Sequence, residues 1–239
     1  MQSLISDHTF CRLVTIRNAL LEHDTTKNDT AGLFVPCAGE QLIKSGGLYY
    51  IGIATRGEFE RGEPQDMPSC VDRTRKWLCS GNRHEISGAP FWNYLDKLSC
   101  ELLGGPYEKT FDRWGWSNLI KIGSASRYCP SPAMLVAQYE ACVNALKEEI
   151  TQLTKSLVVI VSADDFGFLS KVGLNEPWEK DCEGDGLWWK RESGNLFVWA
   201  YHPAYARRRL FFDAQLKRSI ELARKENFSW CKSEPFLRH

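Results

Sequence analysis

Leu157-Val158-Val159-Ile160-Val161 is the longest aliphatic run in the chain, and it restricts the fold more than any other feature. It falls far short of the roughly 20 apolar residues that cross a bilayer. An unbroken β-branched run of this length suits a strand buried on both faces. Residues 48–54, Leu-Tyr-Tyr-Ile-Gly-Ile-Ala, have the same character. Strands of this kind belong to sheets covered by helices on each side, and helical patterns lie between them. Phe91, Trp92, Leu95, Leu98, Leu102 and Leu103 recur at helical spacing and meet a stop at Gly104-Gly105-Pro106. Ser131-Pro132 offers an N-cap oxygen followed by a proline at the first helical position, and the helix it opens is predicted to run to about Lys155.

The rest of the chain fits the same alternation. Residues 2–23 carry apolar positions suited to a helix, and Leu33 to Pro36 reads as a loop or edge strand. Ser117 to Ile122 is a strand candidate, and residues 176–186, with five acids and one lysine, read as a solvated loop. Leu187–Arg191 and Leu196–Tyr201 form a hairpin pattern, and a last helix is expected over about 206–225. The expected fold is α/β: a central, mostly parallel four-stranded sheet of 48–54, 117–122, 157–163 and 196–201, joined by right-handed crossovers and flanked by helices. The whole of 1–239 reads as one domain, with 1–45 as an N-terminal helical addition and the hairpin late in the chain.

Composition removes several classes. A hydrophobic content of 43% excludes a mostly disordered chain. Thirty Lys+Arg balance thirty Asp+Glu, which argues against a polybasic membrane-surface arm but leaves room for a local basic patch. Residues 201–239 supply such a patch, with nine Lys/Arg against four Asp/Glu. The start, Met1-Gln2-Ser3-Leu4-Ile5-Ser6-Asp7-His8, lacks the basic opening and apolar run of a secretory signal, so an intracellular, non-membrane protein is expected, with a monomer favoured. None of the nine cysteines forms a CxxC pair, which points to reduced thiols and to no metal site.

In open α/β sheets, ligands bind beyond the carboxyl ends of the strands. Three such ends carry distinctive residues. Gly52-Ile53-Ala54-Thr55-Arg56-Gly57-Glu58 has glycines that permit tight turning and close approach of backbone N–H groups, although a glycine at a strand exit is common. Asn118 offers the donor–acceptor pair that suits a nucleobase edge, or else bonds its own loop backbone. His202, fixed by Pro203, can donate a hydrogen bond to a developing oxyanion. Arg207, Arg208 and Arg209 follow; they form either a phosphate-binding fork or a solvated basic face.

Taken in order, Gly52-x-x-x-x-Gly57, Gly88-Ala89-Pro90-Phe91-Trp92-Asn93-Tyr94-Leu95, Ser117-Asn118-Leu119-Ile120-Lys121, the 157–161 run and His202-Pro203 resemble the motif series of the uracil-DNA glycosylase superfamily over roughly residues 46–225. The parallel is with the branch that has Gly-x-Pro-Phe opening a helix, a Thr-Asn-x-x-Lys strand and a His-Pro loop. The resemblance implies a four-stranded parallel sheet with a base pocket at its strand ends. It also implies DNA as partner and hydrolysis of the N-glycosidic bond of uracil or another deaminated or damaged base, with no metal or organic cofactor. Phe91 would stack on a flipped base, Asn118 would read its Watson–Crick edge, and His202 would polarise a carbonyl oxygen. The backbone around Ala54, Thr55 and Gly57 would line the pocket near the sugar, while Lys121, Arg207 and Arg208 would meet DNA.

The sequence departs from the family in one chemically important place. Where the family carries Glu, Asp or Asn to position the attacking water, this chain has Ile53 and Ala54. Glu58 is the nearest carboxylate, and Asp164 and Asp165 at the end of the third strand are a second source of a base. Two other readings stay open: a non-catalytic nucleobase- or DNA-binding module of the same fold, and a hydrolase of a small nucleotide or nucleoside.

Overall fold

The computed structural model describes residues 1–54, 66–79, 90–106, 109–125, 129–162, 167–175, 177–181, 186–203 and 211–232. In chain order the elements are β1 (Gln2–Ser3), α1 (Asp7–Glu22), β2 (Thr30–Leu33), β3 (Cys37–Ala38), α2 (Glu40–Ser45), β4 (Leu48–Gly52), α3 (Met67–Cys79), α4 (Pro90–Leu103), β5 (Trp114–Asn118), β6 (Ile122–Ser124), α5 (Pro132–Gln152), β7 (Leu157–Val161), α6 (Phe168–Lys171), β8 (Glu179–Lys180), β9 (Leu187–Glu192), β10 (Asn195–Ala200) and α7 (Phe212–Lys225).

The fold is α/β, with one large mixed sheet flanked by helices. Its strand order is β1-β3-β5-β4-β7-β10-β9-β8. The four central strands β5, β4, β7 and β10 run parallel. Antiparallel strands extend the sheet at both edges. Among the described residues the sheet therefore has eight strands, where a four-stranded sheet with a late hairpin was expected. Its added outer strands β1, β3 and β8 are two residues each, too short to show any alternation, and β8 lies inside the acidic stretch read as loop.

Two boundaries also move. The strand expected at 117–122 is Trp114–Asn118, and Ile122–Ser124 pairs instead with Thr30–Leu33 in a separate two-stranded sheet. The helix expected from residue 2 begins at Asp7, because the Ser6 hydroxyl caps it by accepting from the Thr9 N–H. It packs outside the sheet against α5. In the β9–β10 hairpin, the two turn residues Ser193 and Gly194 have φ of 50° and 77°. That left-handed pair is what a two-residue turn matching the strand twist requires.

Alternation along the parallel strands divides the core in two. Leu48, Tyr50, Trp114, Trp116, Val159 and Val198 face α4 and α7. Tyr49, Ile51, Val158, Ile160 and Phe197 face α1 and α5. All five residues of β7 have no exposed surface, as a central parallel strand covered on both sides demands.

The predicted cap of α5 is present: the Ser131 hydroxyl accepts from the Met134 N–H and Pro132 follows it in the first turn. Ser131→Ala should destabilise the fold by about 1 kcal/mol. A fall in denaturation midpoint with unchanged steepness would show it, and an unaltered midpoint would mean that this cap contributes nothing. Among the described residues, no helix is long and apolar enough to cross a membrane.

Candidate functional site

Parallel pairing puts the carboxyl ends of β4, β5, β7 and β10 on one edge of the sheet, and the site forms there. Gly52 and Asn118 are register partners at the ends of β4 and β5. Period-two alternation sends Gly52 to the same face as Tyr50, and Asn118 to the same face as Trp116. Gly52 has no side chain, and its neighbours fill that space. A Cβ built on it would lie 2.6 Å from Asn118 Oδ1 and 3.0 Å from Phe91 Cε2. This close approach is what a glycine permits at that position.

Phe91 arrives from the first turn of α4. Tyr50 and Trp92 meet its ring edge-on, with centroids at 4.7 Å and 4.9 Å, which fixes its plane. His202 lies two residues beyond β10, and its ring faces Phe91 with centroids 6.0 Å apart and planes 22° apart. At that separation the rings already form an offset pair. A planar group stacking on Phe91 would therefore have to enter beside the imidazole or displace it. Burial pushes the His202 pKa below its ordinary value, so near neutral pH the ring is an uncharged imidazole that can donate one N–H.

Asn118 is only 2% exposed, and its Nδ2 is buried with no hydrogen-bond partner. A buried amide donor left unpaired is costly in a folded protein unless something else satisfies it. Gly52, Phe91, Asn118 and His202 thus meet at one end of the sheet, although they are far apart in the chain. Ala54, half-buried, follows the end of β4 and packs toward the α1/α5 side. Thr55, Gly57, Glu58, Asp164, Asp165, Arg207 and Arg208 lie outside the described residues.

Lys121 is in a different place from the one expected. It was expected to meet DNA, yet its side chain has no exposed surface and cannot reach a phosphate. The chain leaves the ladder after Asn118, with the Leu119 and Ile120 N–H groups still donating to the carbonyls of Gly52 and Ile53, each at 2.9 Å. Lys121 points inward on the same side of the sheet as Ser117, toward α5. Its Nζ pairs with Glu149 Oε1 at 2.7 Å, and Glu149, on α5, is equally buried. Nζ also donates to Ser117 Oγ at 2.8 Å and to the Asn118 carbonyl. Tyr49 donates to Glu149 Oε2 at 2.7 Å, and burial together with the Glu149 charge holds that phenol well above its ordinary pKa. Removing one member of such a buried pair costs about 3–5 kcal/mol, because the other charge is stranded.

Sequence reasoning passed over Glu149, Tyr49 and Gln138. A signal was present. Glu149 continues the i, i+4 stripe of Ala141 and Ala145, and a carboxylate on the buried stripe of a helix calls for a buried cation.

The described residues hold no group of three metal-ligating side chains. A groove of about 480 Å³ opens on the surface between α4 and α7. Much of its charge is already paired, Lys97 with Asp213 and Arg224 with Glu101. No protein-family model matches the chain, and no curated protein matches it significantly.

Proposed function

We propose that the chain binds a nucleobase flipped out of DNA at the carboxyl edge of the sheet and hydrolyses its N-glycosidic bond. The observation that carries this reading is the cluster at the end of β4, where an aromatic ring and an unpaired buried amide meet over Gly52 and a neutral imidazole lies against that ring. Those are the groups that extrahelical base recognition requires: a stacking face, an edge reader and a donor for the charge that develops on the leaving base. The order of motifs that resembles the uracil-DNA glycosylase superfamily supports it independently. Unstacking the target costs a few kcal/mol, which stacking on Phe91 and hydrogen bonding to Asn118 offset.

The side chains of Ile53 and Ala54 carry no polar group to position water, so the reaction runs without the acid the family places there and is expected to be slow. That same observation favours a second reading, a base-binding module that does not cut. A base-release assay on oligonucleotides carrying uracil, hypoxanthine or xanthine separates the two. Slow release of at least one base with formation of an abasic site is expected. Intact substrates together with salt-dependent DNA binding would sink the glycosylase reading in favour of the module.

A further inference from the structure

We propose that Lys121 and Glu149 are positioning residues that set where Asn118 presents its side chain at the edge of the sheet. The inference rests on the reading of Asn118 as the residue that meets the base. Its physical basis is the way the 117–122 segment is fastened from behind.

The Asn118 side-chain amide has an unpaired Nδ2, so that donor does nothing to fix the group's orientation. Its placement comes from packing over Gly52 and from the backbone beneath it. That backbone is where the β4–β5 ladder ends. Lys121 reaches back three residues to bond the Asn118 carbonyl and the Ser117 hydroxyl, and Glu149 anchors its ammonium group.

The inward face of α5 completes the clamp. Gln138 grips both backbone groups of Ile122, its Oε1 accepting from N at 2.8 Å and its Nε2 donating to O at 2.9 Å. The Lys121 N–H donates to Cys142 Sγ at 3.4 Å, and burial pushes that thiol up to about 11, so it remains a neutral acceptor. Side chains of one helix thereby hold residues 121 and 122 directly, and through Lys121 they reach 117 and 118.

Buried ion pairs seldom stabilise a fold beyond what apolar packing of the same volume provides, so this pair is better understood through the geometry it imposes. A satisfied, water-free network is also stiff, because each bond polarises the next.

The test is the triple variant Tyr49→Phe, Lys121→Met, Glu149→Leu, which replaces the network with apolar groups and strands no charge. It should fold, with far-ultraviolet circular dichroism like that of the wild type. Displacement of a reacting group by about 1 Å costs roughly 10²-fold. On that basis kcat for base release should fall at least tenfold, while KM for the oligonucleotide, set by phosphate contacts, stays within twofold. The Asn118 side-chain amide, observed by NMR in the free protein, should change from one sharp pair of signals to broadened or multiple signals.

Unaltered Asn118 signals in a folded triple variant would overturn the positioning role, whatever the activity. Glu149→Gln, which keeps the shape of the side chain, is read in the same way should the triple variant not fold. Absence of base release and of base binding by the wild type would overturn the functional reading alone, since the NMR comparison does not depend on catalysis.

Discussion

His202→Ala is expected to lower the rate of base release by about 10²–10³-fold, the usual effect of removing one preorganised donor to a developing anion. The expectation is strict because Ile53 and Ala54 cannot position water, so under the proposed reaction the imidazole would carry a larger share of the remaining chemistry. Affinity for DNA should hardly change, since phosphate contacts supply most of it. A second readout comes from pH. Burial lowers the native pKa of His202 below the value of about 6.5 that the ring has in the unfolded chain. Between those two values the unfolded state binds more protons than the native state, so stability rises with pH across that window and is flat above it. The contribution is therefore complete above about pH 6.5 and is lost on acidification through the window. Denaturation midpoints on either side of it should differ more in the wild type than in His202→Ala. A variant that releases base as fast as the wild type removes His202 from the mechanism.

The carboxyl edge of the sheet was legible before any coordinates because parallel strands leave little freedom there. With the runs at 48–54, 157–161 and 196–201 as parallel neighbours, the residues just beyond them must share one edge, and His202 does; Asn118 would stand at the start of a strand over 117–122 and reaches that edge only because β5 ends at it. Phe91 as a site residue came only from the resemblance of Gly88-Ala89-Pro90-Phe91 to a family motif; its helical spacing alone marks it as one more apolar position of α4. What the pattern did not reveal is what happens where periodicity ends. Period two would have sent alternate residues of 117–122 to opposite faces, whereas the chain leaves the ladder at Asn118; Leu119, Ile120 and Ile122 all join the α1/α5 side of the core, and Lys121 is buried beside Ser117. The partner that makes this tolerable, Glu149, sits on another element, and pairing across elements is a tertiary fact that no local window contains. The outer strands escaped notice for a simpler reason: two-residue strands exist only because a neighbour offers a free edge.

Gly52→Ala should be nearly as damaging to function as the loss of His202, through space rather than chemistry. The backbone at Gly52 is not in the left-handed region, so alanine meets no conformational penalty there. The added methyl instead lies 2.6 Å from Asn118 Oδ1 and 3.0 Å from Phe91 Cε2, well inside contact distance, and at least one of the two must move. Overpacking of this kind costs about 1–3 kcal/mol, which a domain of this size survives. Phe91 is braced by Tyr50 and Trp92, while the Asn118 backbone is held from behind by Lys121, so the strain falls on the amide group itself. A shift of about 1 Å in a base-reading group corresponds to roughly 10²-fold in rate. The expected result is a folded protein with near-wild-type DNA affinity, base release reduced about 10²-fold and a modest drop in thermal midpoint. Retention of full activity by Gly52→Ala would mean that the base does not approach β4 at this residue, and the site would have to be sought elsewhere along the same edge.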